Sequence, residues 1–416
     1  MTYEYLRIAA AVVLMIMSPV VAVQSRAQTS VGTGPLTGAL ADIEPQSGVL
    51  TLGPLRLAPG LTVREIGWDS NVFLEPPEEA PVEDIVAAAT PDVAAYARLR
   101  LLRISAYAGS DLTYYHDSVS ERSVGYVFRG RVDFLLSRMR PFLGGGRLET
   151  RAQPNGEIDV RADRHEEELS GGLAFDISPH ALVYGSSSWS KTDYENAFED
   201  GVDLSQTLNR ERNEYQAGFR TDLTPLLSLQ LYGTYTDDQF QYEPLRNATS
   251  TAGLATFRIA SDAVVTGIVT LGYRDLVSVD PLTKPYRGFT GSAAIAYPFL
   301  EIGRITFTAN RSTEYSFDSG EAYYVDNTIS LAYTHRLFGA VDAQVRGSKS
   351  VYDYSNRLDS PSHEDKLGSA GGSLGYNLRN RTRIAVNYEY SRRRSAEIAS
   401  RNYDRRRIYL SWSFAF

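Results

Sequence analysis

Arginines recur at every second position in three short stretches, Arg98 and Arg100, Arg129 and Arg131, Arg405 and Arg407, and Arg383 makes a seventh of the same kind. Carboxylates are set among them: Glu65 and Asp69 four places apart, and Asp133 two places after Arg131. On an extended strand a spacing of two keeps side chains on one face. Rows of guanidinium groups facing carboxylates across water create a transverse field and concentrate anions without breaking any bond. The plainer account of the same residues is that they solvate a polar wall and pair across strands.

Bond-making chemistry finds less support. The five histidines are His116, His165, His180, His335 and His363, and none has a carboxylate at metal-ligand spacing. His165-Glu166-Glu167-Glu168 alternates between two faces if it is a strand, so it is no ligand cluster. No serine sits in a nucleophile turn. Neither an enzyme nor a bound metal or cofactor is expected. A formal net charge of −8 disfavours a nucleic-acid partner, and the absence of cysteine rules out disulfides as a source of rigidity.

The elements that would position the arginines alternate with period two. "ISLAYTHRL" sets Ile329, Leu331 and Tyr333 against Ser330, Ala332 and Thr334; "RIAVNYEYS" sets Ile384, Val386, Tyr388 and Tyr390 against Arg383, Ala385, Asn387 and Glu389. This reading predicts strands over 61–73, 91–101, 103–115, 122–136, 139–150, 163–176, 180–193, 209–223, 226–240, 247–260, 263–276, 286–298, 300–315, 324–337, 340–353, 365–378, 381–394 and 402–416. The connections between them are alternately tight and long. An even number of strands, here eighteen, with short turns at one end and long loops at the other, is how outer-membrane barrels are built. A lumen of that size holds water, so the polar rows face in and the apolar rows face lipid. A soluble propeller or β-helix would need a fixed repeat, and the sequence has none.

Arg7 precedes a short apolar run, and Ser25-Arg26-Ala27 fits a cleavage site, so residues 1–27 are expected to be a signal peptide. Residues 28–60 are expected to form a periplasmic lead-in or partial plug, and 61–416 the barrel. The stretch "SGVLTLGPLRLAPGLTVREIGWDSNVFLEP", residues 47–76, resembles the opening of the bacterial outer-membrane family called putative β-barrel porin 2. Gly53, Pro59, Asp69, Asn71, Val72 and Phe73 match its pattern, while Trp68 stands for the usual tyrosine and Ser70 for an aspartate. The final ladder Ile408, Leu410, Trp412, Phe414 and Phe416 resembles the C-terminal signal read by the barrel-assembly machinery. The resemblance implies a link with exopolysaccharide secretion.

Together these readings imply an all-β transmembrane barrel in the bacterial outer membrane, contacting lipid and passing a polar or anionic solute. Its main expected role is a conduit for an exported polysaccharide, with polysaccharide-export proteins as partners. The alternatives are a passive diffusion porin for small anions or sugars and a non-conducting surface scaffold or adhesin. Two further expectations concern the rims. Tyr114, Tyr194, Tyr242, Tyr315, Tyr323, Tyr352 and Tyr403 fall near strand ends and read as interface girdles, and Tyr115, Tyr232 and Tyr409 as inward rings. The first long loop, with Glu75, Glu78, Glu79, Glu83, Asp84 and three prolines, reads as an extended, mobile acidic flap. The remaining loops are short enough to permit only a small inward constriction.

Overall fold

The computed structural model describes residues 50–415 apart from 196, 262, 301, 319, 355–357, 359–361, 379–381 and 396–397. The expected signal peptide (1–27), residues 28–49 of the lead-in and Phe416 lie outside the described residues. Strand β1 (Leu50–Leu52) turns back at Gly53, whose φ of 61° suits a residue without Cβ, and pairs with the start of β2 (Leu55–Asp69). An antiparallel meander follows: β3 (Asp84–Leu99), β4 (Leu102–Tyr115), β5 (Ser123–Phe134), β6 (Met139–Ala152), β7 (Ala162–Ser178) and β8 (Ala181–Glu195). A small ribbon, β9 (Phe198–Glu199) with β10 (Val202–Asp203), and the five-residue helix α1 (Leu204–Leu208) lie outside the wall; the Asp203 side chain caps the helix by accepting from the Ser205 amide at 2.9 Å.

The meander resumes with β11 (Arg210–Thr224), β12 (Leu227–Phe240), β13 (Ala248–Ile259), β14 (Thr266–Ser278), β15 (Tyr286–Phe299) and β16 (Gly303–Tyr315). It ends with β17 (Tyr323–Phe338), β18 (Val341–Asp353), β19 (Glu364–Leu378), β20 (Thr382–Ser395) and β21 (Tyr403–Ala415). β8 pairs with β11 and β21 returns to β2, so the wall is a closed antiparallel barrel of 18 strands. Closure removes the sheet edges that an open aromatic strand such as β21 would otherwise expose.

Alternation sorts the side chains as expected. Ile384, Val386, Tyr388, Ile408, Leu410 and Trp412 are exposed on the outside, and Asn387 and Tyr409, between them in sequence, are buried on the inside. The closing seam carries two local devices. Arg64 is the extra residue of a bulge, since Val63 pairs with Trp412 and Ile66 with Leu410, and its guanidinium reaches Asp111. Gly67 lies so close to the Ile408 carbonyl and Tyr409 that a Cβ would collide with both.

The first two strands are longer than the pattern suggested, β2 starting at Leu55 and β3 at Asp84. Residues 85–90, "IVAAAT", fall between two expected strands yet belong to β3; alanine is a poor strand former, and the proline that follows them removes a donor. The wall accepts Pro91 where pairing with β4 lapses: the register runs Ala89 to Leu112 and resumes at Asp92 to Gly109. The loop after β2 is correspondingly shorter, and it is folded rather than an extended flap. Val72 donates to the Val82 carbonyl at 2.9 Å, the Asn71 amide donates to the Glu75 carbonyl at 2.8 Å, and Val72 and Leu74 are buried. The girdle expectation also needs correction. Tyr194, Tyr315, Tyr323, Tyr352 and Tyr403 are buried beneath the long loops, and only Tyr114 and Tyr242 of that set are exposed.

Candidate functional site

Arg98, Arg129, Arg131, Arg383, Arg405 and Arg407 lie on inward-facing positions of β3, β5, β20 and β21, and Arg100 lies in the turn between β3 and β4. Most are held by carboxylates. Arg405 is forked onto Asp69, and Arg407 joins Glu65 at 3.0 Å to Glu389. Glu389 also accepts from Arg346 at 2.6 Å, and the same guanidinium donates to the Tyr409 hydroxyl at 2.8 Å. Toward the turn end Arg383 pairs with Asp342 at 2.6 Å, and Asp133 is shared by Arg131 at 2.9 Å and Arg103 at 3.2 Å. The wall is therefore a ladder of alternating charge, and most of its field is local. Among the described residues Arg98 and Arg129 form no ion pair, and the Arg129 guanidinium lies 5.8 Å from the Tyr107 ring centre.

A recess of about 440 Å³ opens into the lumen at the turn end of β4 to β13. Its charged lining is Arg103, Arg131, Arg140, Arg220 and Arg258 with Asp133, Glu168 and Glu214; Ser170, Ser186, Ser188, Gln216 and Gln230 supply neutral donors. The Arg131 guanidinium stacks on Phe142, 3.7 Å from the ring centre, and Tyr184 accepts from Gln216 at 2.9 Å. Arg103, Arg140 and Arg258 belong to this group and were not singled out in the sequence. Arg103 and Arg258 lack the doubled spacing that drew attention to the others, whereas Arg140 has it with Arg138 and was overlooked; alternation alone assigns all three inward.

At the opposite end the mouth is crossed by loops. Residues 153–161 leave the wall between β6 and β7 and reach the loop between β16 and β17 on the far side of the barrel. There the Glu157 carboxylate accepts from the Ser316 hydroxyl at 2.7 Å and the Phe317 amide at 3.2 Å. Arg393 of β20 is 0% exposed; it donates to the Glu157 carbonyl at 2.7 Å and pairs with Asp365 at 2.5 Å and Asp159 at 3.3 Å. Glu199 of the small ribbon accepts from the Asp159 and Val160 amides, and Arg401 of the last loop pairs with Asp200 at 3.3 Å. Ile158, Ala162, Tyr194, Ala197, Leu204, Leu208 and Phe317 form one apolar cluster at this level, so the crossing is packed as well as hydrogen-bonded. Burial pushes the carboxyls of Glu157 and Asp159 up to about 7 despite their arginine neighbours.

No curated protein matches the sequence at a significant level. Among solved structures the barrel is similar to OccK2 (OpdF) of Pseudomonas aeruginosa, determined in complex with glucuronate. The two share 12% identity over 86% of this chain and 98% of that one, with a TM-score of 0.50. It is also similar to the outer membrane protein opdK of Pseudomonas aeruginosa (9% identity, 86% and 99% covered, TM-score 0.48) and to a BenF-like porin of Pseudomonas fluorescens (10%, 86% and 99%, 0.47). Residues 49–416 match the family described as Putative beta-barrel porin 2, so nearly all of the barrel is covered. The chain belongs to the putative beta-barrel porin 2 family, a bacterial outer-membrane barrel with the architecture of a channel.

Proposed function

We propose that the protein is a passive diffusion channel for small anionic solutes, sugar acids being the class to try first. The observation that carries this reading is the crossing of the mouth by residues 153–161. A polymer strand would have to displace the Glu157, Asp159 and Arg393 network and the apolar cluster packed around it, whereas a small solute needs only a gap beside it. Polysaccharide export is accordingly the less favoured role. The recess supports the anionic preference: five arginines share it with three carboxylates, and Arg220 forms no ion pair among the described residues. A guanidinium without a carboxylate is free to bind one from solution, bidentately and reversibly. Glucuronate is an apt probe because it carries one carboxylate on a polar ring.

Liposome swelling tests the proposal. Vesicles containing the protein should swell faster in isotonic glucuronate than in the neutral sugar of the same size, and should stay inert in a long oligosaccharide. Equal rates for glucuronate and glucose would remove the anionic preference, and rapid entry of the oligosaccharide would return the polymer conduit to first place.

A further inference from the structure

The outside of the barrel is not uniform around its circumference. On β20 the outward row runs Ile384, Val386, Tyr388, Tyr390, Arg392, Arg394 from the turn end toward the loops, and on β21 it runs Trp412, Leu410, Ile408, Arg406 in the same direction. Hydrocarbon, aromatic and basic side chains thus succeed one another in the order in which acyl chains, interface and headgroups are met. Lys366 on β19 and Lys349 on β18 continue the basic level, because Lys366 is opposite Arg394 and Lys349 is opposite Gly368, itself opposite Arg392. Four adjacent strands place these cations within about 14 Å of one another across the sheet.

Carboxylates compensate only part of this charge. Lys366 pairs with Glu364 at 3.2 Å and Arg394 with Asp404 at 2.7 Å. Lys349, Arg392 and Arg406 are exposed and form no ion pair among the described residues. The other side of the barrel is different at the same level. There β6 to β12 turn Glu149, Glu167, Asp193, Glu211 and Asp237 outward, and the cations among them, Arg147 and Lys191, are paired. Below the basic level β18 and β19 present Gly347, Ala370 and Gly372 outward, which leaves a shallow trough alongside Val345 and Leu374.

We propose that the outward face of β18 to β21 at the loop end is a binding surface for the phosphorylated sugar headgroup of an outer-leaflet glycolipid. Each unpaired cation facing the headgroup layer attracts anionic lipid, and guanidinium groups match phosphate oxygens in geometry. The long-loop end of an outer-membrane barrel faces outward, where the leaflet is built of such glycolipid, so the occupant is the glycolipid and not a phospholipid of the inner leaflet. The aromatic row of Tyr388 and Tyr390 sits where the sugar meets the acyl chains, and the trough receives a chain beneath it.

Native mass spectrometry of the detergent-purified protein, titrated with bisphosphorylated lipid A, tests this. Wild type should retain lipid A at least roughly tenfold better than the variant K349Q/R392Q/R406Q, and should bind dephosphorylated lipid A as weakly as that variant binds the intact lipid. The opposite-face variant R147Q/K191Q should behave as wild type. Heat-modified mobility on gels selects the folded barrel in every sample, and the single changes K349Q and R406Q keep the comparison usable if the triple variant folds poorly. Equal retention by wild type and the triple variant would overturn the proposal. So would phosphatidylglycerol displacing lipid A at equal concentration, since the surface would then read charge alone.

Discussion

Arginines inside the barrel fall into two physical groups, and the difference fixes what their loss should do. Arg405 satisfies Asp69, which is buried at the end of β2, so R405A leaves a carboxylate without its cation. A loss of stability on the order of 3 kcal/mol is expected, with ion selectivity nearly unchanged; urea unfolding in detergent checks the first and bilayer recording the second. Among the described residues Arg98, Arg129 and Arg220 have no carboxylate to release. R98S/R129S/R220S should therefore fold as wild type and lower the anion-to-cation permeability ratio. The seven arginines were legible from their doubled spacing, but their partners were not. Glu389 and Asp342 are ordinary alternating residues until the register sets them opposite Arg407 and beside Arg383. At the mouth, Glu157 and Asp159 hold protons more tightly in the docked loop, near 7, than their usual values of 4.5 and 3.8. Raised carboxyl values mean that docking is strongest below the usual values and weakens as pH rises toward 7. Conductance is expected to climb between about pH 5 and pH 8, and E157Q should flatten that dependence; a fall over the same range would refute the role given to the loop.

Elements were read well where their pattern is local and poorly where it is not. Alternation found eighteen strands and the long and short connections, because each strand exposes one face to lipid and one to water. The inward fold of residues 153–161 left no such trace: its anchor, Glu157 to Ser316, joins residues 159 apart in sequence. Of the buried tyrosines, Tyr194, Tyr352 and Tyr403 share the inward parity of their strands and were legible from alternation, whereas Tyr315 and Tyr323 escaped because a ring near a strand end looks alike whether it meets lipid or the underside of a loop. Two element-level outcomes follow. Replacing residues 154–160 by a Gly-Gly turn should raise single-channel conductance severalfold while leaving the barrel folded, as the loop contributes no wall strand. G67V should instead strike the seam, where a side chain collides with the Ile408 carbonyl of β21. A cost of roughly 1–3 kcal/mol and a lower unfolding temperature are expected.

The whole molecule is a closed barrel whose two ends differ. Its turn end holds an arginine-lined recess, and its loop end is crossed by a packed, charged bridge. Under the proposed function, such a shape admits small solutes and selects them by charge before size. The most direct test is single-channel recording of the refolded protein in a planar bilayer, with the reversal potential read in a salt gradient and glucuronate then added to one side. The account predicts steady openings, a reversal potential displaced toward that of the anion, and a current carried by glucuronate itself. Cation preference, or a folded barrel that inserts and conducts nothing from pH 5 to pH 8, would contradict it.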